Sequence, residues 1–126
     1  MKILVLSADP ELALLRQYAL RQAGHNTVAA ASDKDIERRF GDMADDDFDV
    51  ALMCHRIPDG RARELIRRFH QKNPRGKIVA VVHMYGEWPQ IEADRYVVGT
   101  DGPEALTQVV AEIATERAAA AGSKAS

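Results

Sequence analysis

The feature that most constrains this chain is an alternation. Five short apolar runs are separated by stretches whose apolar residues return every three to four positions. The first run, Ile3-Leu4-Val5-Leu6, is continuous and bounded by Lys2 and Ser7, which suits a strand covered on both faces. Asp9-Pro10-Glu11 then starts a helix. Asp9 can cap free N–H groups, Pro10 has no N–H to leave unpaired, and Glu11 favours the positive helix end. Leu12, Leu15, Ala19 and Ala23 line the face expected to turn inward, and Gly24 stops the helix. Thr27 to Ala30 reads as a weaker second strand. Ser32 or Asp33 caps a second helix carrying Ile36 and Phe40. Asp49 to Cys54 is the third strand. A loop through Pro58 and Gly60 leads to a helix with Ala62, Leu65, Ile66 and Phe69 inward, and Asn73 to Gly76 is a turn. Ile78 to Val82 and Tyr96 to Val98 are the remaining strands. Pro103 opens a last helix with Leu106, Val109, Val110 and Ile113 on one side.

Apolar strands in βαβ units imply a parallel sheet with helices on both faces. A chain of 126 residues holds one domain, placed at residues 1–117, and the low-complexity tail 118–126 is expected to be disordered. Five such units point to a flavodoxin-like, three-layer α/β sandwich with strand order 2-1-3-4-5. Ligands of such sheets sit beyond the carboxyl ends of the strands. The residues there are Ser7, Ala8, Asp9, Cys54, His55, Val82, His83, Gly99 and Thr100.

Charge and cysteine content narrow the function. A net charge of −2 excludes a uniformly basic nucleic-acid binder. A local basic belt does exist, with Arg56, Arg61, Arg63, Arg67, Arg68, Lys72, Arg75 and Lys77 set against only Asp59 and Glu64. It lacks the interleaved aromatics of a single-strand platform, and no helix-turn-helix is visible, so nucleic acid is disfavoured. No apolar run approaches the roughly 18 residues of a membrane span, and the amino terminus lacks the pattern of a signal peptide. The single Cys54 agrees with a reducing compartment, so the chain reads as cytoplasmic.

The order and spacing of ILVL-x-x-DPELALLR, FDVALM, the IPDG turn, KIVAVV and RYVV…GPEAL resemble the receiver domain of bacterial response regulators along about residues 2–117. The resemblance implies an Asp ending strand three as phosphoacceptor. It implies two acidic residues after strand one for Mg²⁺, a Ser or Thr ending strand four and a Lys ending strand five. In this chain those positions fall on Cys54, on Ser7 and Ala8, on Val82 and on Gly99, and Asp9 takes the next, helix-capping place. Loss of the whole set implies a degenerate pseudo-receiver. Tyr96 occupies the family's switch-aromatic position. The stretch from Val82 to Gly99 is shorter than the family's, so the family's fourth helix is expected to be shortened to about two turns or replaced by loop. Gly86, Trp88 and Pro89 agree with that.

The same residues admit other chemistry at this edge. Cys54, His55 and His83, with Asp9, form a candidate metal set, although no CxxC or HxxxH spacing supports it. Cys54 with His83 as base is the enzymatic alternative, and a redox thiol near Arg56 is another. The plainer reading is a buried Cys54 filling the vacated acidic pocket. No cofactor is expected: Ser7-Ala8-Asp9-Pro10 has no glycine and sets a negative charge where phosphate would lie. Arg63, Arg67, Arg68 and Trp88 are the candidate partner surface. Tyr85 and Trp88 act either as an exposed anchor or as a cover for the sheet.

The sequence thus reads as a non-enzymatic, receiver-like signalling domain working by protein–protein contact with a kinase, regulator or assembly, without phosphoryl transfer. The alternatives are a metal- or redox-sensing module on Cys54 and His83, and a residual phosphorelay receiver. Homodimerisation stays open. The chain is either stand-alone or a piece of a longer protein.

Overall fold

A computed structural model of the chain describes all residues except His55, Tyr85, Glu87 and Ser126, with the backbone alone for residues 121–125. Strands β1 (Lys2–Leu6), β2 (Asn26–Ala30), β3 (Val50–Met53), β4 (Lys77–Val82) and β5 (Arg95–Val98) form one parallel sheet. Their order is β2-β1-β3-β4-β5, as the sequence indicates. Because side chains alternate along a strand, Leu4 and Leu6 of β1 enter one core and Ile3 and Val5 the other. Helices α2 (Asp33–Asp42) and α3 (Asp59–Lys72) cover the first core. Helices α1 (Pro10–Gln22) and α4 (Pro103–Ala125) cover the second. Among the described residues no helix is long and apolar enough to cross a membrane.

The expected start signals work as chemistry. Asp9 Oδ1 accepts from the Glu11 and Leu12 amides at 3.0 and 3.4 Å, and Pro10 is the first helical residue. Ser32 Oγ accepts from the Asp35 amide at 3.2 Å, which decides between the two candidate caps of α2. Gly24 ends α1 with φ +92°, a conformation that glycine adopts without steric cost. Gly60 belongs to the first turn of α3, not to the loop before it.

Two sequence expectations need correction. The inward face of α1 is not Leu12, Leu15, Ala19 and Ala23. Ala13 and Leu20 are its buried residues, while Leu14, Leu15 and Tyr18 are 65%, 66% and 67% exposed. Apolar residues fall on more than one side of this helix, so periodicity alone does not fix its rotation about its axis. The tail expected to be disordered from Ala118 instead continues α4 to Ala125. Alanine is the best helix former, and the run Ala118–Ala121 extends a helix already in place.

Between β4 and β5 the described residues hold only bends and a turn. This segment, where the resemblance implies a shortened helix or a loop, is clipped to α3. Arg63 donates to the Gln90 carbonyl at 2.7 Å, and the Gln90 amide donates to Asp59 Oδ2 at 3.0 Å. Ile91 then packs into the first core. At the opposite end of the sheet, buried Asn73 joins three segments. It accepts from the Phe48 amide at 2.8 Å and donates to the Phe69 carbonyl and to Met43 Sδ.

Candidate functional site

The turn after β1, the end of β3 and the end of β5 meet at the carboxyl edge of the sheet. Cys54 lies there, 3% exposed. Its sulfur accepts from Arg16 Nη1 at 2.8 Å. Burial raises the Cys54 thiol above its ordinary value, while Arg16 and Ser7 pull it down by a smaller amount. The thiol is therefore neutral near pH 7, opposite to what a thiolate nucleophile requires. Ser7 is buried as well, its hydroxyl donating to the Asp9 carbonyl at 2.9 Å and accepting from the Asp9 amide at 3.0 Å.

Asp9 is spent twice. One oxygen caps α1, and the other lies 3.4 Å from Arg56 Nη1. At the end of β5, a Cβ placed on Gly99 would lie 3.4 Å from the Val82 carbonyl oxygen and 4.0 Å from Arg16 Nη2. Arg16 therefore reaches from α1 across to the strand-five position. Sequence reasoning missed it. The available signal was its spacing: Arg16 falls three residues after Ala13 and four before Leu20, on the stripe that turns inward.

A cleft of about 370 Å³ opens above these residues, with Arg16, Arg56, His83, Gly99 and Thr100 among its walls. His83 thus does reach this edge. His55 lies outside the described residues, as does Tyr85. Among the described residues no three His, Cys, Asp or Glu side chains gather in a way that could hold a metal ion.

The predicted partner surface divides. Arg68 faces inward electrostatically: its two terminal nitrogens meet Glu37 Oε1 and Oε2 at 2.9 and 3.0 Å, and its guanidinium stacks over Phe40. Arg61 joins the same carboxylate at 2.8 Å. Arg63 holds the loop, as described. Arg67 is exposed beside the cleft formed with Pro89 to Glu92, and Trp88 is exposed too. Tyr96 points outward, its hydroxyl donating to the Ile91 carbonyl at 2.7 Å and its ring meeting Trp88 edge-on at 5.9 Å.

The strand order, together with the edge at which these residues gather, defines the receiver fold of response regulators. Solved structures agree. Response regulator protein TrrA from Thermotoga maritima, in complex with Mg²⁺ and a beryllofluoride, matches with a TM-score of 0.70 at 19% identity over 89% of this chain and 97% of that one. A CheY-like receiver domain protein from Methanospirillum hungatei matches at 0.72 and 21% identity, covering 91% and 94%. The N-terminal domain of a response regulator/sensory box/GGDEF 3-domain protein from Carboxydothermus hydrogenoformans matches at 0.74 and 17% identity, covering 96% and 99%. No protein-family model and no curated protein matches the chain.

The residues at this edge do not suit the Mg²⁺ that receiver chemistry uses. Mg²⁺ demands several oxygen ligands in near-octahedral array. Ala8 offers no side-chain ligand, Ser7 is turned to the backbone, and Asp9 is committed to the helix cap and Arg56. The Arg16 guanidinium adds a positive charge beside the place the divalent ion would take.

Proposed function

We propose that this chain is a receiver-type signalling domain that acts by protein–protein contact, without accepting a phosphoryl group and without enzymatic activity. The observation that carries the reading is the Arg16–Cys54 contact. The phosphoacceptor position holds a buried neutral thiol, and a cation already leans on it. A sulfur in that state is a poor acceptor, and the surrounding side chains do not assemble the metal that would neutralise the incoming charge.

The protein partner, in this reading, meets the exposed Trp88 of the β4–β5 segment and the exposed Arg67 of α3 beside it. Tyr96 acts as a fixed wall of that surface because the Ile91 carbonyl holds its hydroxyl. The domain works in the cytoplasm, residues 1–117 form its functional unit, and the vestigial pocket is Ser7, Ala8, Asp9, Cys54, Val82 and Gly99.

An amide NMR titration with Mg²⁺ and beryllofluoride, paired with a labelling assay using acetyl phosphate, tests this. Stationary peaks at Asp9, Cys54, Val82 and Gly99 and no incorporated label are expected. Saturable shifts at a fixed Mg²⁺ concentration, or a stable phosphoryl adduct, would restore the phosphorelay reading.

A further inference from the structure

The unusual group at the carboxyl edge is Arg16. It is partly buried, and its hydrogen bond goes to a neutral thiol; among the described residues it has no ion pair with a carboxylate. Arg61 and Arg68, by contrast, are answered by the Glu37 carboxylate, and Arg21 by the Thr27 hydroxyl and carbonyl oxygens. A guanidinium drawn out of water without a counter-charge is costly, and an anion in its fork recovers that cost with two parallel hydrogen bonds.

Beside it lies a second cavity. A groove of about 330 Å³ runs between α1 and α4, walled largely by apolar side chains such as Leu12, Ala19, Val97 and Leu106. It shares Leu12, Leu15, Arg16 and Gly99 with the polar cleft of about 370 Å³. The two spaces are therefore neighbours with a cation at their junction. Ligand sites have this make-up: mostly apolar walls, a volume of about 300 to 1,000 Å³, and a few polar groups that fix orientation. The absence of a side chain at Gly99 keeps the junction open, since a Cβ there would stand 4.0 Å from Arg16 Nη2.

We propose that this junction binds a small amphiphilic carboxylate, its acid head in the Arg16 fork and its apolar tail along the α1–α4 groove. The Arg16 guanidinium chooses the head, in a cleft whose walls also carry Glu11 and the Arg56-paired Asp9, and the apolar walls choose the tail. Such a ligand needs no metal. It would also cover part of the apolar surface that α1 leaves exposed, so its presence would be felt on the outer face of the helix. The inference shares with the functional reading above the Arg16 contact with the neutral Cys54 thiol, but it concerns the groove beside that contact and is tested without Mg²⁺ or beryllofluoride.

Octanoate is the probe, titrated into the whole chain with EDTA present and no beryllofluoride, and followed by amide NMR. Acetate supplies the head alone and 1-octanol the tail alone. Saturable shifts at Leu12, Arg16, Gly99 and Leu106 are expected with octanoate, with at least tenfold weaker binding of both controls. Arg16→Met should bring octanoate down to the level of octanol. Gly99→Leu should abolish binding while leaving the spectrum of the sheet in place, because the added Cβ meets its neighbours at ordinary contact distances. If Arg16→Met does not fold, the three-ligand comparison on the native chain still decides. Equal affinity for octanoate and octanol, binding unaffected by Gly99→Leu, or no saturation with octanoate overturns the proposal. The beryllofluoride titration is a separate experiment, so failure of one reading does not mask the other.

Discussion

The two faces of the sheet are finished differently. On the α2–α3 face, the large core side chains are sealed and one carboxylate joins two arginines across the helices. Phe69 and Leu65 are fully buried, and Glu37 binds Arg61 and Arg68 across the two helices. Even the segment after β4 is fastened there, through Ile91, Gln90 and Asp59. On the α1–α4 face, Leu14, Leu15 and Tyr18 stand in solvent above an apolar groove, and Arg16 lacks a carboxylate partner among the described residues. The difference is one of closure: the first core is sealed beneath its helices and leaves an outer surface at Arg67 and Trp88, whereas the second keeps an open apolar groove.

Substitutions can break or sharpen this contrast, and the largest effect belongs to the sealed face. Phe69→Ala should cost about 3–5 kcal/mol in urea denaturation, the range for emptying a well-packed aromatic site. Its ring lies so close to Gly76 that a Cβ there would come within 2.4 Å of it. Gly76→Ala should therefore be damaging in the native chain and milder when combined with Phe69→Ala.

Next comes the buried amide. Asn73→Ala leaves the Phe48 N–H without its acceptor, and an unsatisfied buried donor costs about 1–3 kcal/mol. The same denaturation series measures it.

The Glu37 network gives a smaller, pH-dependent effect. Hydrogen bonds from Arg68 and then Arg61 hold the Glu37 carboxyl down to about 2, against an ordinary value of 4.5. The folded value is the lower one, so this stabilisation is complete above pH 4.5 and fades as pH falls through about 2. Between those limits the urea midpoint of the native chain should fall more steeply than that of Glu37→Gln. Because the pair is exposed, added salt should shrink the difference.

The smallest change is expected on the open face. Leu14→Ser and Tyr18→Ser should each shift stability by no more than about 0.5 kcal/mol, since little area is lost from the core. A loss near that of Phe69→Ala would mean that α1 is turned the other way and the two faces are alike.

Much of this contrast was legible in the sequence, for identifiable reasons. Continuous runs such as Ile3 to Leu6 mark strands buried on both sides, and Asp9-Pro10 and Ser32 mark helix starts through local hydrogen bonds. The strand order followed from the number of units. The gathering of Ser7, Cys54, Val82 and Gly99 near one sheet edge also followed, because each is tied to a strand end that could be counted to. The rotation of α1 was not legible, since Leu12, Ala13, Leu14 and Leu15 offer two competing apolar faces. With the rotation lost, Arg16 was lost too. The pairing of Arg68 with Glu37 depends on how two helices lie side by side, and spacing within either helix carries no trace of it.

The chain has a single tryptophan, and its placement makes the molecule self-reporting. Trp88 is 52% exposed and meets Tyr96 edge-on, while the Tyr96 hydroxyl is tied to the chain just beyond it. The indole thus emits from a half-wet site beside a fixed energy donor. A partner that covers this corner will dry the indole and move its emission to the blue. A ligand confined to the α1–α4 groove will leave that colour almost unchanged. One native fluorophore therefore distinguishes the two surfaces without any label.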